Sequence, residues 1–213
     1  DWDTMNRLYA EIDAIAFTAG PGSFTGIRIG FGVVQGLAFG AEIPVLPISS
    51  LETLAHTAIR KLGIQKEVQI EQARLVFQKQ NPEIECFDLT IVPMLDARMD
   101  EIYWAQFQLP MDSEAPNDLQ RSCVDSLSPP EETCTDVNKP SAVIVVGDGW
   151  NYSDRISLEP TMVDAALLPE AQDILTIATP MIQAGQAISI EQASPIYLRD
   201  KITWKKRQRL RTA

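Results

Sequence analysis

The stretch from Gly20 to Gly30 reads GPGSFTGIRIG and decides how the surrounding chain folds. It follows residues 13–19, a short apolar run that is typical of a buried strand, and the Gly-Pro-Gly turn ends that strand. Ser23 is a favourable N-cap, so we predict a helix from about Phe24 to Ala41. A strand, a tight turn and a helix in this order begin a parallel α/β unit.

The next segment completes this unit. Residues 44–49 predict a second strand, and Ser49 or Ser50 can cap a second helix. That helix carries a 3.6-residue apolar stripe over residues 51–62 and is expected to stop at Gly63. Two strands are too few for a stable sheet. We therefore expect more strands and favour a missing upstream piece over later strands as their source.

The rest of the chain predicts a second group of elements. Residues 66–85 are polar and glutamine-rich and are interpreted as an inserted helix and loop. Two antiparallel strands, 90–95 and 101–109, are expected around a turn at 96–100. Then come a long connection with one short element (110–140), a buried strand (142–146), a helix (169–185) and a short strand or extended segment (195–199).

The glycine turn resembles phosphate-binding loops only in part. A P-loop needs a Lys after its last glycine, and none follows Gly26. A dinucleotide fingerprint needs a spacing one residue shorter than that of Gly20, Gly22 and Gly26. The backbone N–H groups of Phe24 and Thr25 could still hold an anion. The alternative, a tight turn that packs the helix closely on its sheet, is favoured over catalysis.

The predicted helix 24–41 is apolar around almost its whole circumference. One side collects Gly32, Gly36, Ile29, Gly40, Val33, Gly26, Leu37 and Gly30. The other side collects Val34, Ile27, Ala38, Phe31 and Phe24. Each glycine costs about 1 kcal/mol of helix stability relative to Ala, and close backbone packing is the usual compensation. A sheet can cover one side. Another helix must cover the other, from upstream residues of this chain or from a partner, whereas a membrane is a weaker alternative because Arg28 interrupts the stretch.

Charge and composition exclude several classes of function. The 213 residues carry a net charge of −11, which disfavours a broad nucleic-acid-binding surface. A basic tail, residues 199–213, departs from this average with seven basic residues and one acidic residue. The three cysteines form no CxxC pair, and His56 is the single histidine. We therefore expect no metal site, no catalytic constellation and a reducing, cytoplasmic location.

The motifs in this order resemble the TsaB (YeaZ) family. They are GPGSFTGIRIG at 20–30, QGLA at 35–38, SSL at 49–51, DARM at 96–99, EIYW at 101–104, PIYLR at 195–199 and WKK at 204–206. The resemblance implies an α/β fold of two ribonuclease-H-like lobes of the actin-like ATPase (ASKHA) type. The N-terminal lobe would be incomplete and cover residues 1–89, with an insertion near 64–88, before a C-terminal lobe at 90–198 and the tail at 199–213.

The resemblance also implies a function. The family takes part in making threonylcarbamoyladenosine (t6A) at the adenosine next to the anticodon of certain tRNAs. By this resemblance the chain is a non-catalytic subunit that holds no cofactor. It supports the catalytic subunit TsaD together with the ATPase TsaE, and ATP or ADP and a divalent metal are expected in those partners. A homodimer through the glycine-rich helix is a further expectation, tRNA is expected only within the complex, and no membrane contact is expected.

Two sets of residues are candidates for contacts. The partner interface is expected at Gly26, Arg28, Ile29, Gly30, Val33, Gly36, Leu37 and Gly40. Nucleotide or tRNA contact is expected at Arg98, Trp204, Lys205, Lys206, Arg207 and Arg209, because cations beside an aromatic ring suit phosphates and bases. The alternative for these residues is a solvated tail.

An enzyme is the second hypothesis, either a glycoprotease-like peptidase or a stand-alone ATPase. A peptidase needs an activated nucleophile or a metal-bound water. Ser23 has no evident base, and neither Asp96 nor Asp148 has a clear acid partner in the sequence.

The chain also departs from the family pattern, since its first strands and helix are absent, residues 66–85 are longer than expected, and Asp100 stands where glycine is common in the turn.

Overall fold

A computed structural model describes residues 11–64, 75–83, 88–110, 119–134 and 141–199. Most of the predicted insertion and all of the basic tail beyond Arg199 lie outside the described residues. Those include the candidate contacts Trp204, Lys205, Lys206, Arg207 and Arg209.

The first unit forms as the sequence predicts. Strand β1 (Ile15–Gly20) leads into helix α1 (Phe24–Ala41), and strand β2 (Val45–Ser49) leads into helix α2 (Ser50–Ile64). The two strands pair in parallel, with Ile15 opposite Val45, and make a two-stranded sheet. Helix α2 runs one residue past the predicted stop at Gly63.

A second, mixed sheet has five strands in the order β5-β4-β3-β6-β7. Its strands are β3 (Asp88–Arg98), β4 (Glu101–Leu109), β5 (Gln120–Ser128), β6 (Ser141–Val146) and β7 (Met162–Asp164). Strands β3, β4 and β5 pair antiparallel, whereas β6 is parallel to both β3 and β7. Short 3-10 helices at Pro130–Glu132 and Asp148–Arg155 flank β6, and helix α3 (Ala171–Gln183) follows β7.

Helices α2 and α3 each bury apolar side chains against a sheet that lies far away in the sequence. The inner face of α2 packs Leu51, Leu54 and Ala58 against Phe107 and Ile144 of the five-stranded sheet. Helix α3 packs Ile174, Ile177 and Ala178 against Leu46 and Ile48 of β2. The two sheets are thus joined through two helices that also contact each other.

The structure corrects four local predictions. The connection 110–140 contains a nine-residue strand, β5, rather than one short element. Helix α3 begins two residues later and ends two residues earlier than predicted. The turn expected at 96–100 is tighter, since β3 continues to Arg98. Phe24, predicted on the same helix side as Val34 and Ala38, is the first residue of α1 and is 53% exposed.

Candidate partner interface

One face of α1 lies on the two-stranded sheet. Val34 and Ala38 are the buried residues of this helix and join a core with Phe17, Ala19 and Val45. The ring of Phe31 contacts that of Phe17, with 5.7 Å between their centroids. This is the side opposite the glycines in the predicted helix, and it is the side that the sheet covers.

The opposite face of α1 is exposed and apolar. Ile29 is 65% exposed, Val33 59% and Phe39 72%. All eight residues of the predicted interface are exposed: Gly26, Arg28, Ile29, Gly30, Val33, Gly36, Leu37 and Gly40. A Cβ atom added at Gly30, Gly32, Gly36 or Gly40 would meet nothing within 4 Å. The described residues therefore leave this glycine face open to close approach by another backbone.

Arg28 is held by two aromatic residues at the N-terminal end of this face. Its guanidinium carbon lies 3.8 Å from the centroid of the Phe24 ring. Its Nε donates a hydrogen bond of 3.0 Å to the hydroxyl of Tyr197, 169 residues away in the chain. The C-terminal segment is fixed beside α1, because the N–H of Ile196 also donates to the carbonyl of Ala19.

The glycine turn before α1 is explained by packing. Gly20 has a φ of +126°, and a Cβ there would lie 2.6 Å from the carbonyl oxygen of Ile196. Ser23 caps the helix by accepting a hydrogen bond of 3.4 Å from the N–H of Gly26. These contacts favour the tight-turn interpretation of this loop over a phosphate cradle.

The candidate catalytic acids meet at the end of β3. Asp148 accepts a hydrogen bond of 2.9 Å from the N–H of Asp96, and the Asp96 carboxylate pairs with Arg98. The hydroxyl of Tyr152 donates to Asp96, and burial together with this carboxylate raises the pKa of Tyr152. Within the described ranges, no three His, Cys, Asp or Glu side chains are grouped to hold a metal ion.

His56 lies on the side of α2 that faces the core. The side chain is 9% exposed, and burial lowers the pKa of its imidazole. A neutral, buried histidine here is a packing residue of the helix.

Arg98, the described member of the tRNA-contact set, projects from the turn between β3 and β4. Its side chain is 82% exposed and pairs with Asp96 at 2.6 Å. Arg199 binds the base of the same turn by donating to the carbonyls of Ala97 and Arg98. Sequence reasoning missed Arg199 and Tyr197 as organising residues, although the PIYLR motif that contains both was recognised.

Comparisons with known proteins agree with this architecture. Two solved structures from Pseudomonas aeruginosa superpose with a TM-score of 0.71. One is described as an uncharacterized protein with similarity to peptidase YEAZ, is 34% identical, and is matched over 93% of this chain and 80% of that one. The other, YeaZ, is 35% identical over 89% of this chain and 76% of that one.

Sequence relatives point the same way. The tRNA threonylcarbamoyladenosine biosynthesis protein TsaB of Escherichia coli is 34% identical over 95% of this chain and 78% of its own length. The protein of the same name from Haemophilus influenzae is 34% identical over 92% and 74%. The family model described as TsaD, tRNA N6-adenosine threonylcarbamoyltransferase, matches residues 4–69.

The protein has two sheets joined by helices, and this arrangement matches the solved structures. It therefore has the actin-like ATPase (ASKHA) fold class. Within that class, the sequence similarity to the two TsaB proteins extends over most of this chain and over more than two thirds of each relative's length. The chain belongs to the TsaB (YeaZ) family.

Proposed function

We propose that this chain serves in tRNA t6A biosynthesis as a non-catalytic subunit that binds TsaD through the exposed face of α1. The observation that supports this proposal most directly is the open glycine face of α1, where four glycines have free space at the Cβ position. Monomeric proteins rarely expose a large contiguous apolar patch, and such a patch marks an interaction site. The names of the TsaB relatives indicate that the process is t6A biosynthesis. The metal and nucleotide chemistry of that process would lie in TsaD and TsaE.

One further observation favours a protein partner of the TsaD type, and a membrane is the weaker alternative. The match of the TsaD family model covers β1, α1 and β2, so this chain shares its interface elements with the proposed partner. Helix α1 is also long and apolar enough to cross a membrane, with 11% of it buried. Lipid would gain little from glycine, which offers almost no apolar surface, whereas a partner helix gains close contact.

We propose that Arg98 and the basic tail contact tRNA or nucleotide once the complex has assembled in the cytoplasm. Arg98 is exposed at a turn, and cations of this kind bind phosphates with a marked salt dependence. An unchanged salt dependence of tRNA binding after deletion of residues 205–213 would overturn this proposal for the tail.

The interface is tested by Gly36→Leu. This substitution adds four carbon atoms where a Cβ has open space in the isolated chain. The variant should keep its circular dichroism spectrum and lose co-elution with purified TsaD. Val124→Phe is the matched control, because it adds bulk at a side chain that is 74% exposed on β5. Normal co-elution of Gly36→Leu would overturn the proposed interface.

A further inference from the structure

Six of the eight described lysine and arginine side chains pair with a carboxylate. They are Arg60, Lys61, Arg98, Arg121, Arg155 and Arg199. Among the described cations, only Arg28 and Lys79 have no carboxylate partner. Lys79 lies in a short helical segment at residues 75–80, away from α1. Arg28 is therefore the unpaired cation at the edge of the apolar interface face.

The surroundings of Arg28 orient it without neutralising it. The Phe24 ring covers one face of the guanidinium, and the Tyr197 hydroxyl takes the Nε–H. The two terminal nitrogens make no hydrogen bond within the described part of the chain, so as far as those residues extend their N–H groups are available to a partner. An arginine held by aromatic rings loses little further side-chain entropy when it binds a planar carboxylate.

We propose that Arg28 is the charged specificity contact of the α1 interface and that it binds an Asp or Glu carboxylate on the docked TsaD-type partner. This inference rests on the proposed interface and adds the chemistry that the partner must present there. Neighbouring Phe24, Ile29 and Tyr197 are exposed apolar or aromatic side chains, so docking removes water around the guanidinium. A charge that is desolvated in this way needs an opposite charge across the interface. Tyr197 acts as a positioning residue, because it fixes the guanidinium through Nε.

The test measures the affinity of the full chain for purified TsaD over a series of salt concentrations. Arg28→Gln should weaken binding at low salt by about tenfold or more and flatten its salt dependence. Lys79→Gln removes the other unpaired cation and the same unit of charge, and it should leave both quantities unchanged. Tyr197→Phe should weaken binding by about threefold while the salt dependence persists, because the charge stays but its orientation is lost.

The outcomes separate this inference from the interface on which it rests. If Gly36→Leu abolishes binding but Arg28→Gln matches the wild type, the interface stands and the role of Arg28 is overturned. If Arg28→Gln weakens tRNA binding by the assembled complex but not assembly, the anion is a phosphate and the proposal fails. It also fails if Arg28→Gln weakens only self-association of this chain, since the occupant would then be a second copy.

Discussion

At the scale of single residues, the turn between β3 and β4 has an unusual backbone. Arg98, Met99 and Asp100 have φ angles of 63°, 59° and 60°, and none of them is glycine. The left-handed conformation costs an L-residue about 1–2 kcal/mol. Contacts from outside the turn offset this cost, since Arg199 donates two hydrogen bonds of 3.1 Å to the carbonyls of Ala97 and Arg98.

Asp100→Gly should therefore stabilise the protein. Glycine adopts a positive φ without steric cost, and the Asp100 side chain is 75% exposed with one contact of 3.5 Å to Arg155. We expect a gain of up to about 1 kcal/mol in the free energy of unfolding, or roughly 2–4 °C in Tm. Thermal unfolding measures it, with Asp100→Ala as the control that removes the carboxylate but keeps the strain. A glycine variant no more stable than the alanine variant would contradict this account.

At the scale of elements, the periodicity of α1 predicts its two faces because the helix is regular and long. Val34 and Ala38 are buried and the glycines are exposed, as the 3.6-residue repeat requires. Phe24 departs from the pattern because it stacks on Arg28 and beside the Tyr197 ring at the start of the helix. Its partner Tyr197 is far away in the sequence, and no local pattern could reveal that contact.

Gly36→Ala should change stability and binding in opposite directions. A helical alanine is more stable than glycine by about 1 kcal/mol, and the added Cβ has open space in this chain. The variant should thus raise the urea concentration at the unfolding midpoint. Its affinity for TsaD should fall, because the extra methyl group separates the two backbones. Higher stability with unchanged affinity would mean that the glycine is not kept for close packing.

The strands that sequence reasoning missed lie at the edges of the five-stranded sheet. Strand β5 reads QRSCVDSLS, and its residues are exposed or half-buried. Strand β7 has three residues, none of them buried. An edge strand can be polar on both faces, so it lacks the alternation that marks a half-buried strand. The central strands β3, β4 and β6 are apolar and were predicted.

At the scale of the whole molecule, one polar cluster links the two helices that join the sheets. Asp173 of α3 is 3% exposed and accepts hydrogen bonds from Thr57 at 2.7 Å and from Arg60 Nε at 2.6 Å. Glu170 pairs with Lys61 and Arg60. Hydrogen bonds lower the pKa of its carboxyl to about 2, and the one from Lys61 has the largest effect. These partners lie more than 100 residues apart, so they could not be paired from the sequence alone.

Asp173→Asn should loosen the whole molecule rather than one sheet. The amide has one oxygen where the carboxylate has two, so the Nε–H of Arg60 loses its acceptor. Losing a hydrogen bond to a charged group costs about 1.5–3 kcal/mol. Helix α2 covers one sheet and α3 the other, so both sheets should unfold together at lower urea. Tryptophan fluorescence and far-ultraviolet circular dichroism should give coincident transitions. Glu170→Gln, at a side chain that is 34% exposed, should cost less than Asp173→Asn because solvent screens its ion pairs. Separate transitions for the two probes in the unsubstituted protein would mean that the cluster does not couple the sheets.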